Sequence, residues 1–197
     1  MAYNFFATIS RMKYIERWAL MRSSRPENLS EHSLEVAMIA HALCTIGNVR
    51  YGKQLSAERA AVIGLYHDAT EIITGDMPTP VKYFNPEIRS AYREVETVAR
   101  QRLLEGLPED LKPSYEAVFQ SREEEADREL RELVKAADKL SALIKCMEEE
   151  NAGNGEFRTA KQTIFTAVKE MAQTHPEVRD FIRDFMEPYG NTLDELL

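Results

Sequence analysis

The stretch whose reading decides the fold is Ala57-Glu-Arg-Ala-Ala-Val-Ile-Gly-Leu-Tyr-His-Asp-Ala-Thr-Glu71. Ser56 stands before it as an N-cap, and Gly75 follows as a natural stop. Ala60, Ile63, Gly64 and His67 fall on one helical face, and Glu71 continues that face one turn on. The spacing predicts a buried helix that carries His67-Asp68 inward. An unpaired carboxylate is costly to bury, so an interior His-Asp needs a partner, and a metal ion is one. The pair reads as half of a metal site whose other ligands lie on two other helices.

Working outward, the preceding segment is capped by Asn28 or Ser30 and predicts a helix to about Ile46, stopping near Gly47. His32, Val36, Ile39 and Leu43 share its inner face, so His32 points toward the core. Further upstream, Phe5 to Trp18 has helical spacing, and Met21 to Asn28 reads as a loop broken by Pro26. Downstream, Asp76-Met-Pro-Thr-Pro80 reads as a stiff polar loop, a candidate pocket wall, with Lys82 a solvated lysine beyond it. Asn85-Pro86 opens a long amphipathic helix through Tyr92, Val95, Val98 and Leu103 to Gly106. A short helix is expected within Pro108 to Phe119, and the charge run at 123–125 reads as a solvated helix start.

The next helix covers about Asp127 to Asn151, with Leu130, Val134, Ala137, Ala142 and Ile144 among its inner positions and Asp138 between Val134 and Ala142. Asn151-Ala-Gly-Asn-Gly155 breaks the chain, and helices at about 157–173 and 176–185 finish the body. No alternating strand run, internal repeat or low-complexity segment occurs. The reading is an all-α fold in one domain over 1–197.

Composition narrows the function. A hydrophobic fraction of 44 % and a charged fraction of 29 % are ordinary for a globular chain. A net charge of −8 argues against a surface that coats nucleic-acid polymers, which needs a basic face, but leaves room for a small anion in a local cationic pocket. Cys44 and Cys146 are isolated and read as free thiols. No apolar run is long enough for a membrane span or a signal peptide, so a cytoplasmic protein is expected.

The candidate ligands are His32, His67, Asp68 and Asp138. Two imidazoles and two carboxylates suit a borderline divalent ion such as Co²⁺, Mn²⁺, Zn²⁺ or Fe²⁺, with positions left open for water and substrate. Each residue has a plainer reading when taken alone. His32 is then a hydrogen-bonded core histidine, and Asp138 a buried partner for Arg or Lys. His41, nine residues after His32, falls on the opposite side of that helix, and His175 lies in a turn before Pro176. Neither is assigned a metal role.

A histidine on one helix, His-Asp on a later one and a distant Asp on a third form the pattern of the HD-domain metal-dependent phosphohydrolases. The wording goes further. Arg17-Trp-Ala-Leu-Met-Arg22, Asn28-Leu-Ser-Glu-His32, Tyr66-His-Asp-Ala-Thr-Glu71, Thr74-Gly-Asp-Met-Pro-Thr-Pro-Val-Lys-Tyr-Phe84 and Lys135-Ala-Ala-Asp138 resemble the bacterial YfbR-type 5′-deoxynucleotidases. The resemblance runs from about Phe5 into the final helices and weakens after Tyr189.

It implies a homodimeric HD-domain enzyme that hydrolyses 2′-deoxyribonucleoside 5′-monophosphates to deoxynucleoside and phosphate. Co²⁺ is the expected ion in vitro, with Mn²⁺ or Zn²⁺ also fitting. By position, His32, His67, Asp68 and Asp138 are the metal ligands. Glu71 matches the acid/base, and Arg17 the residue that orients the phosphate. Trp18 lines the sugar site, Asp76, Met77, Pro78 and Thr79 match the substrate-binding loop, and His32, Asp68 and Asp138 also face the substrate. A metal-activated water is then expected to attack phosphorus. Glu71 has a second reading, as acceptor of a hydrogen bond from a ligand histidine. The alternatives are another HD phosphohydrolase, acting on a dNTP, cyclic nucleotide or alarmone, and a non-enzymatic helical protein with a structural metal.

Overall fold

A computed structural model describes residues 2–82, 84–119 and 125–197. Among them the chain forms helices and no strand: α1 Phe5–Ile9, α2 Leu29–Tyr51, α3 Ala57–Tyr66, α4 Glu71–Thr74, α5 Thr79–Lys82, α6 Pro86–Glu105, α7 Lys112–Phe119, α8 Glu125–Asn151, α9 Arg158–Thr174, α10 Pro176–Phe185 and α11 Leu193–Leu196. The expected all-α architecture is what is observed.

Local chemistry sets most boundaries. The Asn28 side chain accepts from Ser30 N and Glu31 N, and Ser56 and Asn85 cap α3 and α6 in the same way. Each such cap contributes about 1 kcal/mol. Pro86 and Pro176 sit at first helical positions, where the missing N–H costs nothing.

Helix α2 does not stop near Gly47. It runs on to Tyr51 and ends at Gly52, whose φ of 67° is the left-handed turn that favours glycine. Gly47 answers to packing instead: a methyl there would lie 3.1 Å from Leu55 Cδ1.

Three further boundaries differ from the sequence reading. The N-terminal segment is helical only through α1 and a 3-10 turn at Ser10–Tyr14; Glu16 then bridges to Asn28, pinning both ends of the loop between them. The run from Ala57 is interrupted at His67. There the bonds tighten to three-residue steps, Ala69 N to Tyr66 O and Glu71 N to Asp68 O. The physical reason is the His67 ring, whose Nδ1 lies 2.7 Å from Gly64 O, the carbonyl that Asp68 N–H takes in a regular helix. The stiff loop after Gly75 includes α5 from Thr79. Lys82 is not simply solvated: its Nζ bonds Glu96 at 2.8 Å and sits over the Tyr92 ring. Of the charge run at 123–125, residues 123 and 124 lie outside the described residues.

The core is built where α2, α3 and α8 meet. Val36, Ala40, Leu43, Ala60, Leu133, Ala137, Leu140 and Ile144 are all buried there. Full burial of a Leu or Ile stabilises by roughly 1.5–3 kcal/mol. A second cluster of Phe5, Met12, Leu29, Ala69, Leu103, Leu104 and Leu107 ties the N-terminal segment to α6. In α6, Val95 and Val98 point outward and are about half exposed. No described helix is long and apolar enough to cross a membrane.

Candidate functional site

Helices α2 and α3 cross so closely at Gly64 that an added Cβ would lie 2.9 Å from Ala37 Cα. That approach brings His32, in the first turns of α2, against His67 at the end of α3, with ring centroids 5.2 Å apart. His67 Nδ1 faces a carbonyl, Gly64 O, so it must carry the proton. His32 Nδ1 lies 3.0 Å from Ser141 Oγ on α8. Both Nε2 atoms are thereby left pointing into the site, and neither has a hydrogen-bond partner.

Carboxylates surround these two nitrogens. Asp68 Oδ2 is 3.0 Å from His67 Nε2 and 3.6 Å from His32 Nε2, and Asp138 Oδ1 is 3.2 Å from His32 Nε2. These approaches place both carboxylates within charge-pairing reach of the two imidazoles. Ligand atoms of His32, His67 and Asp68 all lie within 4.8 Å of one another. Asp138 joins through His32, and its other oxygen meets Lys139 Nζ at 3.1 Å. Two orphaned imidazole nitrogens converging with carboxylates are the donor set of a divalent cation with N and O ligands, so the residues present fit such an ion.

The charges follow from burial and contact. Burial keeps His32 below its ordinary range, with Arg17 adding to the effect. Burial also opposes charge on His67, but Asp68 outweighs it and lifts His67 to about 9. Asp68 is raised by burial and lowered more strongly by His67, and stands at about 2. Glu71 is buried on α4, and burial, with Asp68 and Asp76 adding to it, pushes its carboxyl up to about 9. Glu71 therefore holds a proton at neutral pH, and its Oε2 has no hydrogen-bond partner.

Arg17 and Trp18 reach the cluster from the loop pinned by the Glu16–Asn28 bridge. Arg17 Nη1 lies 3.4 Å from Asp68 Oδ2, and its Nε donates to Glu27 Oε2 at 3.2 Å. The same Glu27 oxygen accepts from Trp18 Nε1 at 2.9 Å, and the indole packs edge-on against Phe157. Trp18 has a φ of 61°, a left-handed conformation that costs about 1–2 kcal/mol for a residue with a side chain. Its backbone N–H is held by Asp76 Oδ2 at 3.1 Å. Backbone strain fixed by side chains from two other segments is typical of a functional position.

The far end of this loop is tied to α8. Glu149 accepts from Ser24 N at 2.8 Å and from Asn154 Nδ2 at 2.7 Å, and pairs with Lys145, whose Nζ donates to Arg25 O at 2.6 Å. Asp138, Ser141, Lys145 and Glu149 thus form a polar seam along one side of α8, at steps of three, four and four.

The structure brings His32, His67, Asp68, Asp138 and Arg17 into one cluster. Trp18 and Asp76 form its neighbouring wall. Met77 and Pro78 are half-buried beyond Asp76, and Thr79 is exposed at the start of α5. On the other side a cavity of about 580 Å³ opens, where His67 and Asp138 share the wall with Tyr66, Phe119 and Lys135. Trp18, Asp76 and residues 77–79 do not line that cavity. His41 is exposed and His175 sits between α9 and α10, away from the cluster. Sequence reasoning missed Glu27, Glu35 and Ser141. Glu35 and Ser141 lie three residues after His32 and Asp138, a spacing that puts each on the same helix face as that residue, and this is the available signal.

Comparison with known proteins agrees with this geometry. The family model described as 5′-deoxynucleotidase YfbR-like matches residues 4–189. A 5′-deoxynucleotidase of Vibrio vulnificus is 45% identical over 196 residues, covering 98% of this chain and 97% of that protein. One of Shewanella oneidensis is 44% identical over 193 residues, covering 98% and 97%. Among solved structures, an HD-domain phosphohydrolase from Listeria innocua has a TM-score of 0.80 at 21% identity, over 94% of this chain and 88% of that one. The cyanophage S-2L HD phosphohydrolase DatZ, bound to dA and one catalytic Zn²⁺ ion, has a TM-score of 0.65 at 21% identity, over 93% and 95%. Those two likenesses establish the HD-domain fold. The near full-length family match and the identity to the two bacterial enzymes go further: the chain belongs to the YfbR-like 5′-deoxynucleotidase family.

Proposed function

We propose that this protein is a metal-dependent 5′-deoxynucleotidase that hydrolyses 2′-deoxyribonucleoside 5′-monophosphates to deoxynucleoside and phosphate. The observation that carries the reading is the pair of partnerless Nε2 atoms of His32 and His67 converging on Asp68, with the Arg17 guanidinium on the same carboxylate. The names of the relatives support the substrate class.

We assign His32, His67, Asp68 and Asp138 to one divalent cation, with Co²⁺, Mn²⁺ and Zn²⁺ all compatible with the donors. When bound, such an ion supplies Lewis acidity and lowers the pKa of water toward neutrality. The remaining work falls to side chains. Arg17, its Nε fixed by Glu27, orients the dianionic phosphate and offsets charge that grows on its oxygens. Glu71, protonated and with an unpartnered oxygen, gives a proton to the departing 5′-oxygen. Trp18 and Asp76 frame the sugar: Asp76 takes the 3′-hydroxyl, and the indole fills the C2′ side where a ribose would place its hydroxyl. Met77, Pro78 and Thr79 continue the substrate wall. In this reading residues 1–197 act as one HD domain, a cytoplasmic homodimer.

The deciding experiment measures inorganic phosphate released from dAMP, AMP and dATP, with Co²⁺ or with EDTA. Fastest release from dAMP, abolished by EDTA and restored by metal, is the expected result. Metal-independent release, or dATP as the preferred substrate, rejects the assignment.

A further inference from the structure

Behind His32 lies a chain of hydrogen bonds that leads away from the substrate side. His32 Nδ1 is 3.0 Å from Ser141 Oγ, and Ser141 Oγ is 2.6 Å from Glu35 Oε2. Both His32 and Ser141 are fully buried. Glu35 is half-buried and lines a small polar cavity with Arg25, Glu31 and Lys145.

The proton order along this chain starts from Ser141, whose hydroxyl donates to Glu35 Oε2. A carboxylate only accepts, so the single hydroxyl proton of Ser141 goes to Glu35. Ser141 Oγ must then accept from His32, which places the imidazole proton on Nδ1. Nε2 is left as a lone pair, aimed between Asp68 and Asp138. At His67 the Nδ1 proton is held by the Gly64 carbonyl, a backbone group that no side-chain substitution removes. For His32 the tautomer depends on two replaceable residues. We propose that Ser141 and Glu35 are positioning residues: they hold His32 in the Nδ1–H tautomer and fix its ring, so that Nε2 serves as a metal ligand. The inference rests on the metal role given to His32 above. It adds two residues, on α8 and α2, that touch neither metal nor substrate.

The first measurement is the tautomer itself, read from histidine ¹⁵N shifts of the wild-type protein without added metal. His32 is expected as the Nδ1–H form, and an Nε2–H form overturns the proposal. The second is the dissociation constant for Co²⁺ or Zn²⁺, measured by competition with a chelating dye. Ser141→Ala should weaken binding by about tenfold, at the low end of what outer partners of ligand histidines contribute. Ser141→Thr, which keeps the hydroxyl, should restore binding, and Glu35→Gln should weaken it less than Ser141→Ala. Wild-type affinity in Ser141→Ala overturns the relay while leaving the metal assignment intact. Wild-type affinity in His32→Ala defeats the metal assignment instead. If Ser141→Ala fails to fold, the wild-type tautomer and Glu35→Gln still decide the matter.

Discussion

Replacing Gly64 by alanine should destabilise this protein, against the usual trend for helices. Gly64 is an interior position of α3, and glycine there costs roughly 0.5–1 kcal/mol relative to alanine in an unconstrained helix. Here the new methyl would stand 2.9 Å from Ala37 Cα and 3.1 Å from Ala37 N, both backbone atoms of α2. Ordinary contact begins at 3.4 Å, so α3 must retreat by the difference, about half an ångström. Overpacking of this kind costs about 1–3 kcal/mol, which exceeds the helix-propensity gain. The expected net loss is about 1 kcal/mol, or roughly 2–4 °C in Tm for a chain of this size. His67 rides on the end of α3, while His32 is fixed to α2. Metal ligands tolerate errors of only about 0.2 Å, so metal affinity should fall with stability. Urea unfolding gives the first quantity and a metal titration the second. A Gly64→Ala protein more stable than wild type, with unchanged metal affinity, would refute the close-approach argument.

Other perturbations separate the remaining roles. Glu71→Gln should lower kcat by about 10²–10⁴-fold, the usual contribution of a positioned acid, with metal affinity retained; steady-state kinetics beside a metal titration check both. Trp18→Ala should raise the rate on AMP relative to dAMP, by no more than the ~100-fold with which a tight apolar wall rejects a hydroxyl; an unchanged ratio removes Trp18 from sugar selection. Glu149 is raised by burial and lowered more strongly by Lys145 and the Ser24 N–H, and stands at about 2, below its ordinary 4.5. Its stabilising effect is therefore complete above about pH 4.5 and is lost as the pH falls from there toward 2. Wild type should lose more stability than Glu149→Gln between about pH 5 and pH 3 in urea unfolding; parallel losses contradict the assignment.

What could be read from the sequence was local. Asn28, Ser56, Asn85-Pro86 and Pro176 announce helix starts because a cap or a proline acts on its own neighbours. His32, His67 and Asp138 were legible because helical spacing assigns a face. The errors come from interactions that spacing does not encode. Gly47 looks like a stop and is a contact with Leu55. The break at His67 carries no glycine or proline; a side chain competing for a main-chain carbonyl makes it. The strained backbone of Trp18 depends on Asp76, and the placing of Arg17 on Glu27. Those partners come from separate segments, and only folding brings them within reach.

The polar seam of α8 makes the whole site depend on the phase of one helix. Asp138 at one end meets His32, and Glu149 at the other holds the loop that delivers Arg17 and Trp18. About 16 Å of helix separates them. Substitution within 139–148 alters single contacts, but insertion of one residue there turns one end against the other by about 100°. The two halves of the site would then face different directions. This stretch cannot change in length, so its residue count is itself a part of the site's design.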